Sequence, residues 1–276
     1  MIHLTGTKMK IDRIIFCLNN NKLYTDFWNP FSEVWRRRFD MVPTLMFVGT
    51  QEELNSSNLS TKWGEIYRLD PIKSAIVDPN MDWSTTWAFF YGPTMFSDDV
   101  CLTMGIDQLS LTSRIFNFLQ ESEALTDDKY IIAMADAYKN FLPDVYPSGW
   151  HIAKGSTYKK ILGIDDSWET EVKKVFTYRN DYPTLPSNYW ALDELHSSKI
   201  INNYNLKNKD SEVVRLRLFH DVLVPRRLDR GGRLGYSIDI LKAGGYSELH
   251  SPRPFKDNEQ YITGLIQALL EGIDEK

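Results

Sequence analysis

The chain lacks most of the features that would narrow its role quickly. It holds only two cysteines in 276 residues, Cys17 and Cys101. Each sits inside an apolar run, which argues against a disulfide framework and predicts two buried thiols. No apolar stretch approaches the roughly 20 residues needed to span a bilayer. The opening Met1-Ile-His-Leu-Thr-Gly-Thr-Lys-Met-Lys10 lacks the long apolar core of a secretory leader. The expectation is a cytoplasmic protein with no transmembrane segment. Positive charge is not in excess either: the formal net charge is −5. That argues against a nucleic-acid partner, which normally requires a basic footprint. Zinc-type spacing is absent among His3, His151, His196, His220 and His250, and there is no internal repeat or low-complexity tract.

What remains is an ordinary globular balance, 42% hydrophobic and 25% charged, with 13% aromatics including eight Trp. Such aromatic content suits a well-filled core, and equally a surface whose ring faces pack on sugar C–H groups. The length fits one large α/β domain. The expected organisation is a single domain over 1–276 with a loop-rich C-terminal third, the alternative being a boundary near Trp150.

Arg13-Ile-Ile-Phe-Cys-Leu18 reads as a buried strand, and Asn19-Asn-Asn21 after it as a loop. Tyr24, Phe27, Trp28, Phe31 and Trp35 recur at helical spacing towards Phe39. Arg36, Arg37 and Arg38 fall where a last turn favours cations. Pro43 to Gly49 predicts a second strand and Glu65 to Leu69 a third. Strand, helix and strand with short links form a βαβ unit, hence a parallel sheet with a right-handed crossover. Helices are expected over Thr85–Tyr91, Thr157–Leu162, Trp168–Tyr178, Trp190–Ile201 and Asn258–Ile273. Further strands are expected at Val100–Asp107, Tyr130–Ala135, Trp150–Ala153 and Val213–Leu218. The predicted fold is α/β, a mixed, mainly parallel sheet flanked by helices.

Several segments carry chemistry. The run Val100-Cys-Leu-Thr-Met-Gly-Ile-Asp-Gln108 stops abruptly at Asp107, which would present a carboxylate at the C-terminal edge of the sheet, where ligands bind in open α/β folds. Mg²⁺ or Mn²⁺ is commonly held by one or two such carboxylates plus substrate phosphates; a turn-forming Asp is the plain alternative. Asn19 and Asn20 offer amides able to read a base edge, or form an ordinary polar loop. Ser148-Gly-Trp-His-Ile-Ala-Lys-Gly-Ser156 sets His151 and Lys154 beside a helix start, a ready anion site; the alternative is a core histidine and a capping Ser. Asp193 and Glu194 follow Trp190 closely enough for a desolvated carboxylate suited to acid–base work, or are simply acids favoured in a first helical turn. Arg226-Arg-Leu-Asp-Arg-Gly-Gly-Arg233 could grip a diphosphate bidentately through residues such as Arg230; exposed Arg–Asp pairing is the plain alternative. Glu248-Leu-His-Ser-Pro-Arg-Pro254 fixes His250 and Arg253 between prolines, either a preorganised site or a surface turn.

Taken in order, Leu18-Asn-Asn20, Tyr24-Thr-Asp-Phe-Trp28, Gly105-Ile-Asp107, Trp190-Ala-Leu-Asp-Glu194, Leu228-Asp-Arg230 and His250-Ser-Pro-Arg-Pro254 resemble a family of small GT-A glycosyltransferases of viral and microbial type. Gly105-Ile-Asp107 looks like a copy of that family's Asp-x-Asp signature with Gly105 in place of the first acid. The resemblance implies a GT-A-like fold, a nucleotide-sugar donor, a divalent cation (Mn²⁺ or Mg²⁺) and a glycan or other hydroxyl acceptor. It makes Asp107 the metal carboxylate and His250 a second ligand or phosphate contact. Asn19 and Asn20 would meet the nucleotide, and Asp193 or Glu194 the acceptor. Removing Asp107 is expected to leave the fold intact, since an edge carboxylate adds little to packing. A rival is a catalytically silent scaffold that keeps only nucleotide or glycan recognition; a third is a scaffolding role for the aromatic surface.

Overall fold

Alternation along the first strand decides the architecture. In the computed structural model of the protein, which describes residues 10–72, 83–121, 126, 128–182, 191–208, 212–220, 226–230 and 235–271, β1 (Arg13–Leu18) buries Ile14, Phe16 and Leu18 on one face and Ile15 and Cys17 on the other. A strand apolar on both faces belongs in the middle of a sheet covered on both sides. After α1 (Trp28–Phe39), the chain passes through Asp40 in left-handed backbone at φ 53°, a helix-closing conformation that Asp tolerates. It then enters β2 (Val42–Val48), α2 (Gln51–Asn55) and β3 (Glu65–Leu69). Next come α3 (Trp83–Tyr91), β4 (Val100–Thr103), β5 (Gln108–Ser110), α4 (Arg114–Glu121), β6 (Tyr130–Ile132), β7 (His151–Lys154), α5 (Gly155–Leu162) and α6 (Trp168–Tyr178). The chain closes with α7 (Leu192–Lys207), β8 (Val213–Arg215), β9 (Leu228–Asp229), α8 (Ile238–Lys242), β10 (Glu248–His250) and α9 (Glu259–Leu270).

Seven strands form the main sheet in the order β3-β2-β1-β4-β7-β6-β8. All neighbours are parallel except β7, which runs against both β4 and β6. One face packs on α1, α4 and α9, the other on α3, α5, α6 and α7. This is the mixed, mainly parallel sheet flanked by helices that the strand pattern predicts. A second sheet, β5-β10-β9, lies apart from it.

The expected βαβ start and the helix Trp168–Tyr178 are present, the strands and the later helix within a residue of those bounds and α1 beginning at Trp28, four residues after Tyr24. The strand expected to run to Asp107 ends at Thr103, because the chain turns at Gly105 and pairs onward in the second sheet. The strand expected to Ala135 stops at Ile132, and that expected to Leu218 stops at Arg215. The short β5, β9 and β10, and helices α2, α4 and α8, are additions to the sequence reading. Cys17 and Cys101 are buried and form no disulfide, and burial raises the Cys101 pKa. Among the described residues no helix is long and apolar enough to cross a membrane.

Candidate functional site

Three short strands assemble the site. In β10, Leu249 points into the core beside its register partners Leu109 and Leu228, while Glu248 and His250 take the other face. The register sets His250 between Gln108 and Asp229. Asp107 immediately precedes β5 and Arg230 immediately follows β9, so both arrive at the same end of this sheet. A bond from the Ser251 amide to the Asp107 carbonyl, 2.8 Å, fixes the loop that carries Arg253.

The result is a charged cluster around one buried carboxylate, Asp107, only 6% exposed. Its Oδ2 accepts from Arg230 Nη1 at 3.1 Å and lies 3.3 Å from Arg253 Nε and 3.6 Å from His250 Nε2. On its other side the His250 ring puts Nδ1 3.4 Å from Asp229 Oδ1, without hydrogen-bond alignment. Deeper in, Arg227 Nε lies 2.9 Å from Glu248 Oε1 as an ion pair that is likewise not aligned as a hydrogen bond. Trp150 Nε1 donates to Glu248 Oε2 at 2.8 Å. The guanidinium of Arg253 stands 4.8 Å over the Tyr24 ring, and Phe27 meets Phe255 edge-on, so the loop after β1 closes one side of the cluster.

Burial governs the protonation states here. It raises the Asp107 pKa, with Arg230 and then Arg227 opposing. It pushes Glu248 up to about 7, Arg227 and the Trp150 bond holding it lower than burial alone would. His250 is driven down to about 4 by burial and then by Arg227 and Arg230, so at neutral pH it is uncharged.

Asp193 and Glu194 sit behind this cluster in the first turn of α7, 2% and 7% exposed. Ser148 joins them: its amide donates to Glu194 Oε1 and its hydroxyl to Asp193 Oδ2, each at 2.8 Å. Burial raises both pKa values, and the charge of Asp193 raises Glu194 further, so the pair retains a proton at neutral pH. The Ser148 carbonyl accepts from Thr103 Oγ1 and the Trp150 amide donates to the Thr103 carbonyl. A Cβ on Gly149 would meet Gln108 Oε1 at 3.4 Å and the Gly105 amide at 3.8 Å. The Ser148 loop therefore abuts the turn that carries Asp107. Trp150 completes the loop in left-handed backbone, φ 65°, an uncommon state for a bulky residue that its buried bond to Glu248 holds in place.

The structure thus brings together Asp107, Arg230, His250 and Arg253, with Asp193 and Glu194 one loop away. Asn19 and Asn20 lie on the loop after β1 at the same edge of the main sheet. Asn19 Oδ1 accepts from the Asn21 amide, and Asn20 Oδ1 is buried with no hydrogen-bond partner. Two candidates fall elsewhere. His151 is fully buried, its Nε2–H donating to the Pro147 carbonyl at 2.7 Å and its Nδ1 accepting from Tyr130 at 2.9 Å. A carbonyl can only accept, which fixes the tautomer; burial lowers the pKa to about 4. His151 is a satisfied core histidine. Lys154 ends β7, and because β7 is reversed, its register partner is Val100, the first residue of β4. Lys154 therefore lies at the edge opposite Asp107. The helix start beside it is already closed by bonds from the Gly155 and Ser156 amides to the Asp99 and Ser97 carbonyls. Trp190 and residues 231–234 lie outside the described residues.

Sequence reasoning singles out the segments that hold Arg227, Asp229 and Glu248 but gives these three residues no role of their own. Their signal, acids and arginines alternating with Leu228 and Leu249, is two or three residues long and too short to read as a strand.

The residues present do not fit a divalent ion well. Among the described residues no group of three or more His, Cys, Asp or Glu side chains is placed to hold one. Asp107 and His250 could both reach a single ion, but the same Oδ2 already meets two guanidiniums. An acid at position 105 would also be crowded: a Cβ there lies 3.0 Å from Gln108 Oε1 and 3.2 Å from Asp107 Oδ1.

No protein-family model matches the sequence, and no curated protein does. Among solved structures the chain is similar to the galactosyltransferase LgtC in complex with donor and acceptor sugar analogs, at 14% identity over 93% of this chain and 95% of that one, with a TM-score of 0.49. It is also similar to an active-site mutant of LgtC, at 14% identity over 74% and 72% of the two chains, with a TM-score of 0.45.

Proposed function

We propose that this protein is a glycosyltransferase that moves a sugar from a nucleotide-sugar donor to a hydroxyl acceptor. The observation that carries this reading is the meeting of Asp107, Arg230, His250 and Arg253 at one sheet end, beside the loop that follows β1. In the reading, Asn19 and Asn20 serve the nucleoside. Arg230 and Arg253 hold the diphosphate and stabilise the negative charge that grows on it as it leaves. The neutral His250 can donate one hydrogen bond to a phosphate oxygen. As the bond between anomeric carbon and diphosphate oxygen breaks and the bond to the acceptor oxygen forms, the acceptor proton passes to a carboxylate. Asp193, whose Oδ2 accepts from the Ser148 hydroxyl at 2.8 Å, is assigned that role, with Glu194 as the alternative.

The test is a panel of nucleoside diphosphates assayed by thermal shift, followed by release of nucleoside diphosphate from matching nucleotide-sugars with and without glycan acceptors. Acceptor-stimulated release supports the enzyme. Binding with no turnover on any donor would favour the rival, a catalytically silent nucleotide- or glycan-binding scaffold. The cellular compartment and the single-domain organisation remain part of the proposal: expression with a fluorescent fusion, and one cooperative unfolding transition, are their checks.

A further inference from the structure

We propose that Arg230 and Arg253, held on Asp107, supply the charge that a divalent ion would otherwise bring, so that the site binds a nucleoside diphosphate without metal. The inference rests on the nucleotide-sugar reading and specifies how that site meets the diphosphate. Three observations carry it.

The first is occupancy. Both guanidiniums approach the same carboxylate oxygen, at 3.1 and 3.3 Å. An incoming cation would have to share that oxygen with two permanent positive charges, since Arg cannot be deprotonated in a protein. The second acid that could outweigh them is replaced by Gly105, whose Cβ position is hemmed in by Gln108 and Asp107. The remaining ligand candidate, His250, would bind an ion only as a neutral imidazole.

The second is equivalence. A divalent ion on one carboxylate leaves one net positive charge for the diphosphate. Two guanidiniums on one carboxylate leave the same. Arginine adds what a spherical ion lacks, a planar fork that matches two phosphate oxygens at once.

The third is readiness. Each guanidinium has five N–H donors and one nitrogen facing Asp107. The side chains are 37% exposed for Arg230 and 25% for Arg253, so both keep donors turned outward. Arg253 is further fixed over the Tyr24 ring. A pair of cations anchored on a buried carboxylate and steadied by a ring loses little freedom on gripping a ligand.

The experiment is calorimetric titration of the full chain with nucleoside diphosphates and the matching nucleosides, in EDTA and again in Mn²⁺. The expected result is diphosphate binding in EDTA with Kd changed less than about threefold by Mn²⁺. Arg230→Ala and Arg253→Ala should each weaken diphosphate binding by about tenfold or more and nucleoside binding by less than about twofold. Arg230→Lys and Arg253→Lys, which keep the charge and lose the fork, give the same reading if an alanine variant fails to fold, and should weaken diphosphate binding to an intermediate degree. Diphosphate binding that requires Mn²⁺, or that survives both alanine substitutions unchanged in EDTA, overturns the inference and leaves the nucleotide reading standing. Failure of every nucleoside diphosphate in both conditions overturns both.

Discussion

Two carboxylate sites lie a loop apart at one end of the main sheet, and they meet the cost of burial in opposite ways. Asp107 is buried among cations, with Arg230 and Arg253 on one oxygen. Asp193 and Glu194 are buried against each other and bonded to Ser148, a neutral partner. A carboxylate with arginines on it has part of the rise that burial imposes on its pKa opposed, and in turn orients the arginines. One compensated only by hydroxyl and amide keeps a proton and can exchange it. The same residue type therefore anchors charge in one place and handles protons in the other, and the neighbours decide which.

The sharpest way to test this division is to remove the proton-handling side. Asp193→Asn keeps the shape and the Ser148 contact but cannot accept a proton. In a transfer assay it should lower turnover by roughly 10²–10⁴ with donor affinity within about twofold. Should Glu194→Gln produce that loss while Asp193→Asn does not, the roles within the pair are reversed. Equal losses of turnover and donor affinity in Asp193→Asn would make the pair a structural element.

A second test reaches the buried root of the arginine side. Arg227 and Glu248 are 8% and 0% exposed, so removing one charge strands the other. The Glu248 carboxyl, raised by burial from an ordinary value of 4.5 to about 7, keeps in the native state a proton that the unfolded chain gives up, so the parent loses about 1 kcal/mol of stability between pH 6 and pH 8. Glu248→Gln, whose amide does not titrate, should lack that loss in urea unfolding, so its stability relative to the parent improves across the same range. A difference between parent and variant that is the same at pH 6 and pH 8 would show that Glu248 does not titrate there.

How much of this was legible in the sequence follows from distance along the chain. β1 and β2 are long apolar runs, and α6 carries Trp168, Val172, Val175 and Phe176 at helical spacing, so local pattern suffices. Asp107, Arg230, His250 and Arg253 stood out one by one as polar residues in marked surroundings. Their meeting at one oxygen depends on β5, β9 and β10, each two or three residues long, and nothing so short has a readable period. Lys154 was misplaced for a different reason. Its local setting, a lysine before a helix start, is that of an anion site. The reversal of β7 puts it at the wrong edge, and strand direction is a tertiary property. For His151 the sequence leaves an anion site and a satisfied core histidine both open, and only the fold brings Tyr130 and Pro147 to its two nitrogens.

His151 sharpens the comparison from within the core. Its pKa falls to about 4 on folding, from an ordinary value near 6.5. The unfolded chain therefore binds a proton below about 6.5 that the native state refuses until about 4. Stability carried by the neutral ring is complete above pH 6.5 and is lost as pH falls through that window, by about 2 kcal/mol at pH 5. His151→Gln should remove that part of the acid-side slope in denaturant unfolding at pH 5 and pH 7. An unchanged slope would mean that another group carries it.

The smallest expected effect is at Asp107, and it separates the two accounts of the site. An edge carboxylate was expected to be structurally silent. With 6% exposure and three polar neighbours it is not. Its arginines are partly solvated, which screens the pair and reduces its worth. Asp107→Asn keeps the volume and one acceptor oxygen, so its cost in urea unfolding should be about 1 kcal/mol. Its effect on ligands is the more telling measurement. If the guanidiniums hold the diphosphate, the variant gains a net positive charge and loses part of their alignment, two changes that oppose each other. Metal-free diphosphate affinity should then stay within about tenfold of the parent. If the carboxylate holds a cation, the same change removes the one charged ligand, and binding in Mn²⁺ collapses while binding in EDTA is as absent as before.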